Sequence, residues 1–119
     1  MNYHKLLPLA LLLLVSCGQK QQAKDTIKTF VKENIADADH YSFKDFGRLD
    51  STRYVTDTII SVMQVNAAKD NTFRKPTAYG QRANNEQLKY IKVKMKVADQ
   101  DTMFTFYLTN DVTKVVAVK

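Results

Sequence analysis

The chain has 119 residues, with 18 Lys and Arg against 12 Asp and Glu, a formal net charge of +6, one cysteine and two histidines. That length supports one hydrophobic core rather than two, and no internal repeat or low-complexity tract divides it. With so few thiols and imidazoles, the sequence assembles no His/Cys metal cluster and no Cys-His or Ser-His nucleophile pair of known pattern.

Near the start of the chain Lys5 supplies a positive n-region, followed by an apolar run from Leu6 to Val15 that only Pro8 interrupts. A membrane-spanning helix needs roughly 20 apolar residues, whereas a secretory signal needs about 7–15, so this run reads as a signal peptide. It ends in Leu14-Val15-Ser16-Cys17, which resembles the lipobox of bacterial lipoproteins at all four positions. The resemblance implies removal of residues 1–16, a diacylglyceryl group on the Cys17 sulfur and a fatty acyl chain such as palmitate on its new amine. Several acyl chains hold a protein at a bilayer where one binds only reversibly. By the same resemblance Gly18, rather than Asp, after the cysteine favours the outer membrane of a Gram-negative envelope. The likeness covers residues 1–18 only. Export removes the nucleic-acid partner that a net positive charge would suggest for a cytoplasmic protein.

Residues 17–23 read as a lipidated tether that needs no structure, and residues 24–119 as a single domain. From Lys24, the residues Ile27, Phe30, Val31 and Ile35 fall at helical spacing with lysines mostly off the stripe, predicting an amphipathic helix capped by Asp25. Tyr41-Ser42-Phe43 alternates as extended chain, leading to a turn at Asp50-Ser51. Tyr54 to Ala68 is ambiguous between strand and helix. Thr56 and Asp57 offer N-cap oxygens and favour helix, while β-branched content argues for strand. The polar stretch Lys69 to Gln87 is long for a structureless connection, and Thr72 to Lys75 is a candidate edge strand. Ile91, Val93, Met95 and Val97 alternate with lysines. A turn at Asp99-Gln100-Asp101 then leads to a strand with Phe104, Phe106 and Leu108 inward, and Asn110-Asp111 turns into a last strand over 114–118.

These elements predict an α+β domain: one or two helices on one face of an antiparallel sheet of about four strands, ending in a three-stranded meander. In layout this order is similar to cystatin-like and nuclear-transport-factor-like folds, which host many unrelated functions. His40 beside Asp37 and Asp39 reads as a solvated loop histidine rather than a metal ligand, and no carboxylate pair has spacing for acid/base work. No cofactor, metal or catalytic residue is expected. Two candidate binding surfaces remain: the outward face of the third-last strand, with Tyr90, Lys92, Lys94 and Lys96 on one side and Thr105 and Tyr107 across from them, and the loop carrying Arg74, Lys75, Tyr79 and Arg82. Both suit a non-catalytic envelope module that contacts a protein or an anionic glycan. The alternative is an inhibitor-type module that blocks an envelope enzyme. Asp25-Thr26-Ile27, Asp50-Ser51-Thr52, Asp57-Thr58-Ile59 and Asp101-Thr102-Met103 each resemble an acceptor pattern for envelope O-glycosylation in one Gram-negative phylum, with Ser51 and Thr102 expected as the turn-borne, modifiable sites.

Overall fold

The computed structural model describes residues 3–119, with side chains from residue 18 onward; the candidate lipidation residue Cys17 and the rest of the Leu14-Val15-Ser16-Cys17 motif lie outside the residues so described. Among the described residues the chain forms two helices and five strands: α1 (Tyr3–Asn34), β1 (Tyr41–Phe46), β2 (Asp50–Thr52), α2 (Asp57–Ala68), β3 (Leu88–Val97), β4 (Gln100–Leu108) and β5 (Val115–Val118). The strands make one antiparallel sheet in the order β1-β3-β4-β5, and β2 pairs with the other end of β3 beyond β1. This is the α+β architecture with a C-terminal meander that the patterning predicts, with five strands in place of four.

The inner face of the sheet carries Ile91, Val93 and Met95 from β3, Phe104, Phe106 and Leu108 from β4, and Val115 and Val118 from β5. Against it α1 lays Ala23, Ile27, Phe30 and Val31, and Ile35 follows directly after the helix, all buried. Each large apolar side chain so removed from water stabilises the fold by about 1.5–3 kcal/mol. Two expectations about this helix need correction. Residues 19–23 are helical rather than a loose tether, since Ala23 lies one turn before Ile27 on the same face and Gln19 Oε1 accepts from Lys89 Nζ at 2.8 Å. Asp25 is therefore interior to the helix and caps nothing. Its carboxylate instead accepts from Gln21 Nε2 one turn earlier at 3.1 Å.

Buried Asn34 ends α1 and fixes the course of the chain after it. Its Nδ2 donates to Phe30 O at 2.9 Å, its Oδ1 accepts from Ala78 N at 2.9 Å, and its carbonyl accepts from Arg74 N at 2.6 Å. The stretch Thr72 to Lys75 thus pairs with the end of α1, through Ala36 N to Thr72 O and a bridge between Ile35 and Phe73, and not with an edge of the sheet. Phe73 and Tyr79 both close on Phe30, at ring separations of 5.9 and 5.7 Å.

Asp50-Ser51 is strand rather than turn, paired to Tyr90 and Lys89. β1 ends just before Gly47, ahead of β2; the Gly47 N–H donates to Lys92 O at 2.8 Å, and a Cβ there would meet that same oxygen at 2.9 Å, so the approach requires glycine. The β3–β4 turn is Ala98-Asp99, with φ of 49° and 64°. Positive φ at both central residues matches the twist of a two-residue hairpin. That places the turn one residue earlier than expected and puts Thr102 in β4, paired to Met95.

Residues 57–68 are helix. Thr56, in extended geometry, accepts from Ile59 N through its side chain, and Asp57 supplies negative charge in the first turn. α2 lies along β5, the free edge of the meander. Its Gln64 Nε2 donates to Val116 O at 2.8 Å, and from the long connection Gly80 N donates to Val115 O at 2.8 Å. An open strand edge is a template for aggregation, and these two donors occupy part of it. Met63, Leu88, Val116 and Ala117 form a second, smaller core beneath α2, with Tyr107 packed against it.

Candidate functional site

The outer face of the sheet is read most easily as rows running across the strands. One row is Asp50, Tyr90 and Tyr107, with Tyr107 opposite Ala117. The two phenol rings lie 5.7 Å apart, tilted by 36°. Burial raises the pKa of the Tyr107 hydroxyl, helped by neighbouring Tyr90, so it stays neutral and available to hydrogen-bond. The next row is Gly47, Lys92, Thr105 and Lys119, in which Thr105 exchanges backbone hydrogen bonds of 2.9 Å with Lys119. The third brings Lys94 between Asp45 and Met103, and the fourth sets Lys96 opposite Asp101.

The rows differ in charge balance. Lys94 and Lys96 each have an acidic residue directly across a strand pair, and Asp50 is tied to Arg48 at 3.1 Å. Lys92 faces a glycine on one side and a threonine on the other. Tyr90, Lys92, Met103, Thr105, Tyr107, Thr52 and Lys119 together line a shallow depression of about 510 Å³. The expected association of Tyr90 and Lys92 with Thr105 and Tyr107 is therefore the observed geometry. Met103, 59% exposed at an outward strand position, belongs to the same surface and was missed, although an unpaired apolar residue on a polar strand face was its available signal.

The second candidate surface does not assemble. Arg74 and Lys75 are exposed, but Tyr79 is half-buried on Phe30, and the Arg82 side chain is only 6% exposed. Arg82 donates to Val55 O and Glu86 O and pairs with Asp57, so its guanidinium holds the start of α2 in place. Glu86 in turn accepts from Ala83 N and Asn110 N, which fastens this end of the connection to the β4–β5 turn.

A third feature has no counterpart in the sequence patterning. Ile59, Val62 and Met63 on α2 form one wall of an apolar groove of about 470 Å³, with Phe73, Phe104 and Val118 facing them. Ile59 and Val62 are 42% and 52% exposed. The helix carries more aliphatic side chains than its contact with β5 covers, leaving apolar surface open beside the groove. Tyr107 and Lys119 line both this groove and the depression on the sheet face, so the two adjoin.

His40 sits in an exposed loop with Nδ1 2.9 Å from Asp37 Oδ1. The hydrogen bond and charge of Asp37 raise the imidazole pKa, and the same hydrogen bond lowers that of Asp37. Among the described residues no group of three or more His, Cys, Asp or Glu side chains is placed to hold a metal ion, and no helix is long and apolar enough to cross a membrane. Of the serine and threonine positions in the acceptor-like triplets, Ser51 and Thr102 lie on strands and not on turns. Thr26 donates its hydroxyl to Val112 O at 2.7 Å, while Thr58 is exposed in the first turn of α2.

Fold and surface thus define an α+β domain with an open, cationic and aromatic sheet face beside an apolar groove. No protein-family model, curated protein or solved structure matches the chain.

Proposed function

We propose that this chain is a lipid-anchored, non-catalytic module of the bacterial envelope, held at the outer membrane through Cys17, that binds another protein or a glycan through the outer face of its sheet. The observation that carries the reading is the Tyr90–Tyr107 pair set beside Lys92 and an exposed Met103, with neither helix covering Lys92, Lys94 or Met103. Tyrosine and methionine are enriched where proteins make contact, and Lys92, with no acidic residue across either strand pair, steers an anionic partner to the surface. The anchor rests on the lipobox-like Leu14-Val15-Ser16-Cys17. Gln19, two residues further on, is already bonded to β3 through Lys89, so an anchor at Cys17 would keep the domain close to the bilayer with little reach.

The inhibitor reading asks for a protruding wedge between residues 69 and 87. That connection instead lies against the body through Asn34, Phe73, Tyr79, Gly80 and Arg82, which favours the contact module. A photoreactive residue at Met103, in protein expressed in its native host, is expected to give a discrete adduct with an envelope component, while the same residue at exposed Asn84 gives none. Cys17→Ala is expected to leave the membrane fraction and to take up no acyl-chain label. Equal adducts at both positions, or a variant that fractionates like wild type, would overturn the corresponding half of the reading.

A further inference from the structure

The apolar groove and the cationic depression meet at Tyr107 and Lys119. A ligand that filled the first and was neutralised by the second would have to be long, apolar and charged at one end. We propose that the junction is a binding site for a free single-chain anionic amphiphile, a long-chain carboxylate or phosphate monoester, with its tail between α2 and the Phe73–Phe104 wall and its head group over Thr105 between Lys92 and Lys119. This goes beyond the protein- or glycan-contact reading, although it uses Lys92 and Tyr107 in common with it.

Size and lining support the tail. A volume of about 470 Å³ lies within the roughly 300–1,000 Å³ of small-molecule sites, which are walled mainly by apolar side chains with a few convergent polar groups. Ile59 and Val62 are left in water when the groove is empty, and covering them is favourable in proportion to the apolar area removed.

Charge sets the direction. Asp70 stands at the Phe73 end, its carboxylate accepting from Thr72 N at 3.3 Å, and repels an anion there. At the other end no acidic side chain lines the depression that holds Lys92 and Lys119. Its Thr105 hydroxyl and the neutral Tyr107 phenol add hydrogen-bond donors for a carboxylate or phosphate oxygen. Lys92 on β3 and Lys119, directly after β5, flank Thr105 of β4, about 10 Å apart at the backbone for two strand spacings. That gap is within reach of two flexible lysine side chains converging on one head group.

The test is a two-dimensional NMR titration of the full chain with decanoate, with acetate as the same head without a tail and decyl maltoside as the same tail without a charge. Decanoate should shift Val62, Val118, Tyr107 and Lys92 together and saturably, with both controls at least about ten-fold weaker. Val62→Asp, a change at a half-exposed position, should weaken decanoate by about ten-fold or more. Lys92→Ala should reduce it to the level of decyl maltoside, and Lys96→Ala should leave it unchanged. Acetate binding as well as decanoate, decyl maltoside binding equally to wild type, or binding only to phosphatidylglycerol vesicles would overturn the proposal. None of those outcomes would touch an adduct formed at Met103, so the two readings fail separately.

Discussion

Asn34→Ala tests whether one buried amide joins the helix to the long connection. The substitution removes the acceptor of Ala78 N–H and the donor to Phe30 O, bonds of 2.9 Å each, while Arg74 N keeps the Asn34 main-chain carbonyl. Phe30 O retains its helical partner, so little is lost there. The amide of exposed Ala78 exchanges a protein acceptor for water, and losing that bond costs about 0.5–1.5 kcal/mol. Allowing for the trimmed side-chain volume, we expect a loss of about 1.5–3 kcal/mol in urea unfolding followed by circular dichroism, equivalent to a fall in Tm of roughly 6–24 °C for a domain of this size. Amide exchange gives the sharper readout: protection at Ala78 should collapse while Arg74 keeps most of its own. Asn84→Ala, at an exposed turn, should change stability by less than about 0.5 kcal/mol. If Asn34→Ala behaved like Asn84→Ala, or if Ala78 stayed protected, Asn34 would not be the joint described.

Phe106→Ala empties a fully buried position between α1 and the sheet and should cost about 3–5 kcal/mol, against less than about 0.5 kcal/mol for Lys94→Ala on the outer face; equal values from denaturant unfolding would mean that the two faces are reversed. Arg82→Ala leaves Val55 O and Glu86 O without a donor and should raise amide exchange throughout the first turn of α2, with Arg82→Lys unable to restore it because one ammonium cannot span the fork of partners. For the exposed pair, the His40 imidazole should titrate above its ordinary value by NMR, and Asp37→Asn should return it there. The His40 contribution is present at low pH and lost as pH rises through its raised pKa, while that of Asp37 is lost as pH falls through its lowered one, so the contact is strongest between the two.

Much of the architecture was legible because period-2 and period-3.6 patterns survive folding unchanged. Ile91, Val93 and Met95 point inward because alternate strand residues must share a face, while the register that brings Tyr90 to Tyr107 and Lys92 to Thr105 is set by the two-residue turn at Ala98-Asp99. Turn positions were less legible. Ala98 carries none of the usual turn chemistry, and it adopts positive φ because the twist of β3 and β4 demands it. The turn therefore precedes Asp99-Gln100-Asp101, and Thr102 falls in a strand.

By itself, then, the sequence determined the class of fold, the side of each strand that faces the core, and the lipobox-like start that directs the proposed location. Only the tertiary structure decided that Arg82 and Tyr79 pack inside, that residues 19–23 join α1, and that the surplus aliphatic residues of α2 open a groove beside Tyr107 and Lys119. The reason is range: periodicity reports what one segment does with its own neighbours. Whether an arginine is a free cation or a clamp depends on which carbonyls, here Val55 and Glu86, the fold brings to it from elsewhere in the chain.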